Sequence, residues 1–289
     1  MRLNKIERHL LMKTIENLIT DEERALYGSI DLTVINSRFE GPADGESALK
    51  ECRNIIVRDS YFNLRYPFWH VHGLNIDSSE MTDKCRAALW YSDNIKITNT
   101  KLHGIKALRE CADVSIESSD IISPEFGWSV TGLKMKDVSA ESEYFLMRSS
   151  DIKLDNFSLT GKYSFQYVNN CEIKDSTLNT KDAFWHAVNV TVKDSVVNGE
   201  YLGWYSENLT FINCTIKGTQ PLCYCKNLKL INCRMEECDL AFERSDVEAE
   251  ITTPVISIKN PLSGHIRVPA ADEIIRNIPE AKGEVILGN

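Results

Sequence analysis

The chain has 289 residues, 43% of them hydrophobic and 26% charged, and a formal net charge of −9. No basic stripe offsets that acidic total, which argues against a nucleic-acid partner. No apolar run approaches the length that crosses a bilayer, and the charged start lacks the apolar core of a signal peptide; no membrane contact and a cytoplasmic location are therefore expected.

Near the N-terminus, Ile6, Leu10, Leu11, Ile15, Leu18 and Ile19 recur close to helical spacing, and Thr20 with Glu23 has the form of a capping box. Residues 1–27 thus read as a helical cap over an open sheet edge that begins near residue 28. Pairing of two copies through that helix, a homo-oligomer, is the sharper alternative.

From Asp31 onward the chain repeats with a basic period of 19 residues. Twelve successive starts, at Asp31, Asn54, Gly73, Asn94, Asp113, Gly132, Asp151, Asn170, Asn189, Asn208, Asn227 and Asp246, are all Asn, Asp or Gly. These residues tolerate a left-handed backbone, so the column marks one obligatory turn per repeat. Counting each start as position 0, positions 1 and 3 are apolar throughout, which is the strand signal. Position 5 is a second small polar column, from Asn36 to Asn232, that only Ile251 breaks. Position 8 is apolar again, and positions 13 to 15 supply a third, aromatic-rich segment.

Such a repeat cannot bury its own face, so it must stack on its neighbours. The expected fold is all-β: a right-handed parallel β-helix of about twelve coils over residues 28–250, one coil per ~4.8 Å. Two insertions, one of them containing "GPADGES", would emerge as loops. A leucine-rich repeat competes through "LTFINCTIKG", but its period is longer and it needs a leucine three residues before the strand, where this chain is mostly polar or small. Pentapeptide coils would require a period divisible by five. After Asp246 the column fades, and residues 251–289 read as irregular capping strands with a short helical piece around Ala271 to Asn277.

Nine cysteines fit a reducing compartment, and most lie on core columns, as Cys214 and Cys233 do at position 6. Cys223 and Cys225 are too close for a zinc pair and no ligand set completes one; neither metal nor cofactor is expected.

The third segment carries the functional candidates. Allowing for a two-residue insertion between Gly73 and Asn94, all five tryptophans, Trp69, Trp90, Trp128, Trp185 and Trp204, share position 15; they read either as buried area or as a platform for sugar rings. Position 16 holds His70, Tyr91, Glu110, Ser129, Arg148, Tyr167, His186, Tyr205, Tyr224 and Glu243. Strand alternation forbids both columns from pointing inward, and position 16 is the better candidate for a solvent-facing groove. On the turn before it, Arg65, Arg86 and Lys106 would form a cationic cluster, either neutralised by Glu46, Glu110 or Glu125 or open to a carboxylate or phosphate. Lys162 adds charge to the same corner. Lys181, Asp182, His186 and Glu200 place a base, an acid and a cation on adjacent coils. Asp182 with Glu200, and Glu125 with Glu143, are candidate carboxylate pairs of the kind a glycoside hydrolase needs, whereas a polysaccharide lyase needs an Arg or Lys base. Stacked coils also generate such pairs by chance.

The wording of the turn segments is particular: "LRYPFWH", "CRAALWYS", "GIKALREC", "GKYSFQY", "TKDAFWH" and "GEYLGWYSENLT". From about Glu22 to past Ile258 the chain resembles the bacterial family catalogued as Domain of Unknown Function 3737. The resemblance implies a right-handed parallel β-helix similar to pectate-lyase-like folds, and it carries over no catalytic residues. The reading is a protein that binds an oligosaccharide or other extended anionic ligand along the third-segment face, with or without lyase or hydrolase activity. A non-enzymatic scaffold that docks a protein partner is the alternative.

Overall fold

The computed structural model describes residues 12–43 and 45–288 and groups the chain into two compact units, Met1–Val138 and Ser139–Asn289. Among the described residues the secondary structure is all strand and turn, with no helix. Each unit is a parallel β-solenoid.

In the first unit the first-segment strands Ile30–Ile35, Arg53–Arg58, His72–Asp77, Asp93–Thr98 and Ala112–Glu117 pair in parallel, in register. Leu32, Ile55, Leu74, Ile95, Val114 and Leu133 therefore sit one above another, each 2% exposed or less. Apolar side chains at positions 1 and 3 point inward because the strand period is two, and the stacked register gives every one of them the same neighbours. The second unit repeats the arrangement with Ile152, Cys171, Val190 and Leu209.

Both predicted turn columns are left-handed. Every start from Asp31 to Asn227 has a positive φ between 50° and 78°, and every position-5 residue from Asn36 to Asn232 lies between 46° and 55°. Asn side chains then bridge successive coils, as where Asn208 Nδ2 donates to Asn189 Oδ1 at 2.8 Å and Asn227 Nδ2 to Asn208 Oδ1 at 2.7 Å. Position 6 forms a buried polar ladder. Ser60, Ser79, Thr100, Ser119, Ser176 and Ser195 each accept a backbone N–H from the coil before and donate to the carbonyl two residues back. Cys214 and Cys233 continue the column, and all nine cysteines are buried free thiols.

Two expectations are corrected. Lys13–Glu16 and Ile19–Thr20 are strands in parallel register with Ile30–Ile35 and Arg38–Phe39, so Ile15 and Ile19 belong to another coil rather than to a helix. Period-two pairing with an adjacent coil has overridden the helical spacing there. Thr20 Oγ1 accepts the N–H of Glu22, a local turn and not a capping box. Ile6, Leu10 and Leu11 lie outside the described residues. At the other end Ala271–Ile275 is a strand paired with Val255–Lys259, and Ser263–Val268 and Glu284–Leu287 continue the parallel stack. The helix predicted around Ala271 to Asn277 is absent because Ile274 and Ile275 pair across coils instead.

Candidate functional site

The third segment departs from a strand, and this sets the geometry of the aromatic face. From Tyr144 to Tyr224 in the second unit positions 12, 14 and 16 are all left-handed: Tyr163, Phe165 and Tyr167 at 55°, 59° and 58°, and Asp182, Phe184 and His186 at 54°, 60° and 53°. The N–H groups of these left-handed residues do not all point the same way along the stack. Asp182 and His186 donate to the following coil, to Glu200 O and Trp204 O, whereas Phe184 donates to Ser164 O in the preceding one. The backbone groups are thus paired without a regular strand. Side chains no longer alternate: Ala183 and Phe184 are fully buried, Trp185 is half-buried and His186 is exposed.

Columns 15 and 16 consequently both face outward, to different depths. The half-buried column 15 is a clamp. Trp185 Nε1 donates to Tyr201 O and Trp204 Nε1 to Gln220 O, each at 2.8 Å, and Gln166 Nε2 reaches Asp182 O at 3.1 Å. In the first unit Trp90 Nε1 does the same to Lys106 O at 2.6 Å. Each clamp fastens the left-handed position 12 of the next coil. The indole planes of Trp185 and Trp204 lie 4° apart with centroids 5.5 Å apart. Arg109, which the column of tryptophans did not single out, fills the same place between Trp90 and Trp128, 4.9 Å and 5.4 Å from their centroids.

Column 16 is the exposed stack. In the second unit Arg148 lies 5.8 Å from Tyr167, and Tyr167, His186, Tyr205 and Tyr224 follow at centroid spacings of 5.0, 5.1 and 4.8 Å with planes within 15° of parallel. Tyr167 and Tyr205 are 48% and 47% exposed. Tyr201 meets Trp204 edge-on at 5.6 Å, joining column 12 to the same surface. In the first unit Tyr66, Trp69, Trp90 and Tyr91 make a comparable cluster, with Tyr91 42% exposed. His70 there bonds Glu51 at 2.6 Å and packs edge-on against His72.

The charged candidates are largely paired with one another. Lys181 Nζ sits 3.1 Å from Glu200, Lys162 2.8 Å from Glu143, Lys106 3.2 Å from Glu125 and Arg65 3.4 Å from Glu46; Arg86 is exposed. Glu200 and Glu143 hold the ammonium groups of Lys181 and Lys162 above their ordinary pKa. Asp182 differs. It is 6% exposed, no hydrogen bond to its carboxylate is found among the described residues, and burial pushes its pKa up against the opposing pull of Lys181. Among the described residues no cluster of His, Cys, Asp or Glu could hold a metal ion.

These features define a parallel β-solenoid with an aromatic third face. The chain belongs to the family described as Protein of unknown function (DUF3737), whose profile matches residues 13–286. A search of curated proteins finds no match. Among solved structures the chain is similar to the A-module of the mannuronan C-5 epimerase AlgE4 of Azotobacter vinelandii, at 10% identity over 96% of this chain and 91% of that one, with a TM-score of 0.38. It is also similar to PfbA, a surface adhesin of Streptococcus pneumoniae, at 9% identity over 92% and 85%, with a TM-score of 0.30.

Proposed function

We propose that the aromatic face of residues 139–289 binds an extended carbohydrate chain laid along the stack of coils, and that the protein is a binding module of a reducing compartment. The stack of Tyr167, His186 and Tyr205, exposed, and Tyr224, half-buried, carries this reading. Rings stacked on each other occupy each other's faces, so solvent meets their edges. A ligand running along the stack would meet hydroxyl and imidazole groups at intervals of about 4.8 Å, a regular comb of hydrogen-bonding partners. Binding is favoured over catalysis because Lys181, Glu200, Lys162 and Glu143 satisfy one another. The same pairing favours a neutral or basic chain over an anionic one. Nine buried thiols, none of them in a disulfide, support the compartment.

Titration calorimetry with a panel of neutral, acidic and basic oligosaccharides tests the reading. Tyr205→Ala is expected to weaken the best ligand at least about tenfold, or about 1.4 kcal/mol. No heat from any member of the panel at millimolar concentration would sink it.

A further inference from the structure

Column 12 of the second unit runs Tyr144, Tyr163, Asp182, Tyr201 and Gln220. Backbone bonds keep the column in line: Tyr144 N to Lys162 O, Tyr163 N to Lys181 O and Asp182 N to Glu200 O. Tyr144 and Tyr163 stack at 4.9 Å with planes 22° apart, which is the spacing of adjacent coils. At Asp182 the stack is interrupted by a side chain with no ring. Tyr163 and Tyr201 therefore stand two coils apart, about 9.6 Å, with a carboxylate between them.

Two coil spacings are the thickness of one inserted ring with a tyrosine on either side. Between successive rings of column 16 the aromatic faces are taken by neighbouring rings, whereas beside Asp182 the Tyr163 and Tyr201 rings have the ammonium groups of Lys162 and Lys181 at 5.5 Å and 5.4 Å, so the interruption is where a ring of the ligand can be gripped by its faces. The floor of the slot is Asp182, 6% exposed, with no hydrogen bond to its carboxylate among the described residues. At the mouth is Lys181, whose ammonium is 5.4 Å from the Tyr201 centroid and 3.1 Å from Glu200. That ammonium marks the chemistry the slot accepts: a cation held by an aromatic face and by carboxylates.

The balance of charge points the same way. Lys181 cancels Glu200, and on the coil before Lys162 cancels Glu143. Thr219 and Gln220 on the coil after are neutral. Of these residues, Asp182 is left as the negative group without an opposite of its own.

Building on the carbohydrate reading of this face, we infer that the Asp182 slot is a subsite for an amino-sugar ring. The ring enters edge-first between Tyr163 and Tyr201, and its ammonium takes over the place of Lys181 and meets Asp182.

The test uses the full chain and three tetrasaccharides: one of glucosamine at a pH where its amines are protonated, its N-acetylated counterpart, and an oligogalacturonate. Calorimetry gives the affinity, and the change in tryptophan fluorescence that is lost when Trp204, in contact with Tyr201, is replaced by Phe reports occupancy. The glucosamine tetramer should bind at least about tenfold more tightly than the other two. Asp182→Asn should abolish that preference, and Lys181→Ala should strengthen binding by removing the internal cation. Asp182→Tyr should complete the tyrosine stack and abolish binding; tyrosine already holds this left-handed position in the coils on either side, so its melting temperature should not fall. Wild-type affinity in Asp182→Tyr, or equal affinity for amine and N-acetyl forms, overturns the slot while leaving the face reading intact. Silence from all three probes overturns the slot too, and if the neutral oligosaccharides also fail, the face reading falls with it.

Discussion

Asn208 does two things at once. Its backbone is left-handed at φ 54°, and its side chain donates to Asn189 while accepting from Asn227. Alanine would lose the bridges and meet the left-handed penalty of about 1–2 kcal/mol, whereas glycine would lose the bridges alone. Urea unfolding should therefore rank wild type above Asn208→Gly and Asn208→Gly above Asn208→Ala; equal midpoints for the two variants would show that the bridges, and not the backbone, set the column. At Asp182 the sign of the pH effect is opposite to that of most carboxylates. Its folded pKa is raised, so its contribution to stability is full below the unfolded value of about 3.9 and is lost as pH rises through the folded one. Asp182→Asn should melt higher than wild type at neutral pH, and the difference should close in acid. A gap that widened toward acid would mean that the carboxylate is held by a cation after all.

At the scale of the element, the third segment stacks bulky residues in a left-handed conformation. Phe165 and Phe184 are both left-handed and fully buried, with rings 4.9 Å apart and 11° from parallel. Stacking and burial must offset about 1–2 kcal/mol at each such position. The position-6 ladder makes a sharper test. Ser176 accepts the N–H of Phe157 and donates to Lys174 O, so Ser176→Ala leaves a buried N–H without its partner and should cost about 1–3 kcal/mol by chemical denaturation. A change under a few tenths would mean that water replaces the hydroxyl. Much of this architecture is legible in the sequence. Positions 0 and 5 show themselves because only a few residue types tolerate their backbone. The third segment does not, because its left-handed positions hold Tyr, Phe and His, types that carry no such signature. Column 15 is visible as a row of tryptophans, but its clamping role is not, since indole N–H direction depends on the carbonyl of another coil. The pairing of Lys181 with Glu200 is likewise a matter of side-chain reach, whereas the interruption at Asp182 is legible, because the 19-residue period sets Tyr163, Asp182 and Tyr201 in one column.

For the whole molecule, the nine thiols act as a distributed reporter. They run from Cys52 to Cys238, all buried, and burial raises the pKa of Cys52 to about 11 and of Cys85 and Cys111 to about 12, with Cys171 higher still. An aromatic disulfide reagent should thus modify none of them in the native protein and all nine after unfolding. Stepwise labelling at intermediate urea would show which coils open first, as expected when each coil touches only its neighbours; rapid labelling in buffer alone would contradict the burial. The N-terminal region departs from its helical spacing for an instructive reason. Ile15, Leu18 and Ile19 fit a helix by spacing, yet a row of unpaired strand groups on the next coil offers Lys13–Glu16 hydrogen bonds that a helix would forgo. The near-parallel indoles of Trp185 and Trp204 have an optical consequence as well. An exciton couplet in circular dichroism needs crossed transition moments, and these two indoles are stacked one coil apart with the same orientation, so the pair should add no couplet to the far-ultraviolet strand signal. Removing either tryptophan should therefore leave the apparent strand content unchanged, whereas a couplet that vanished with one of them would show that the rings are turned relative to each other.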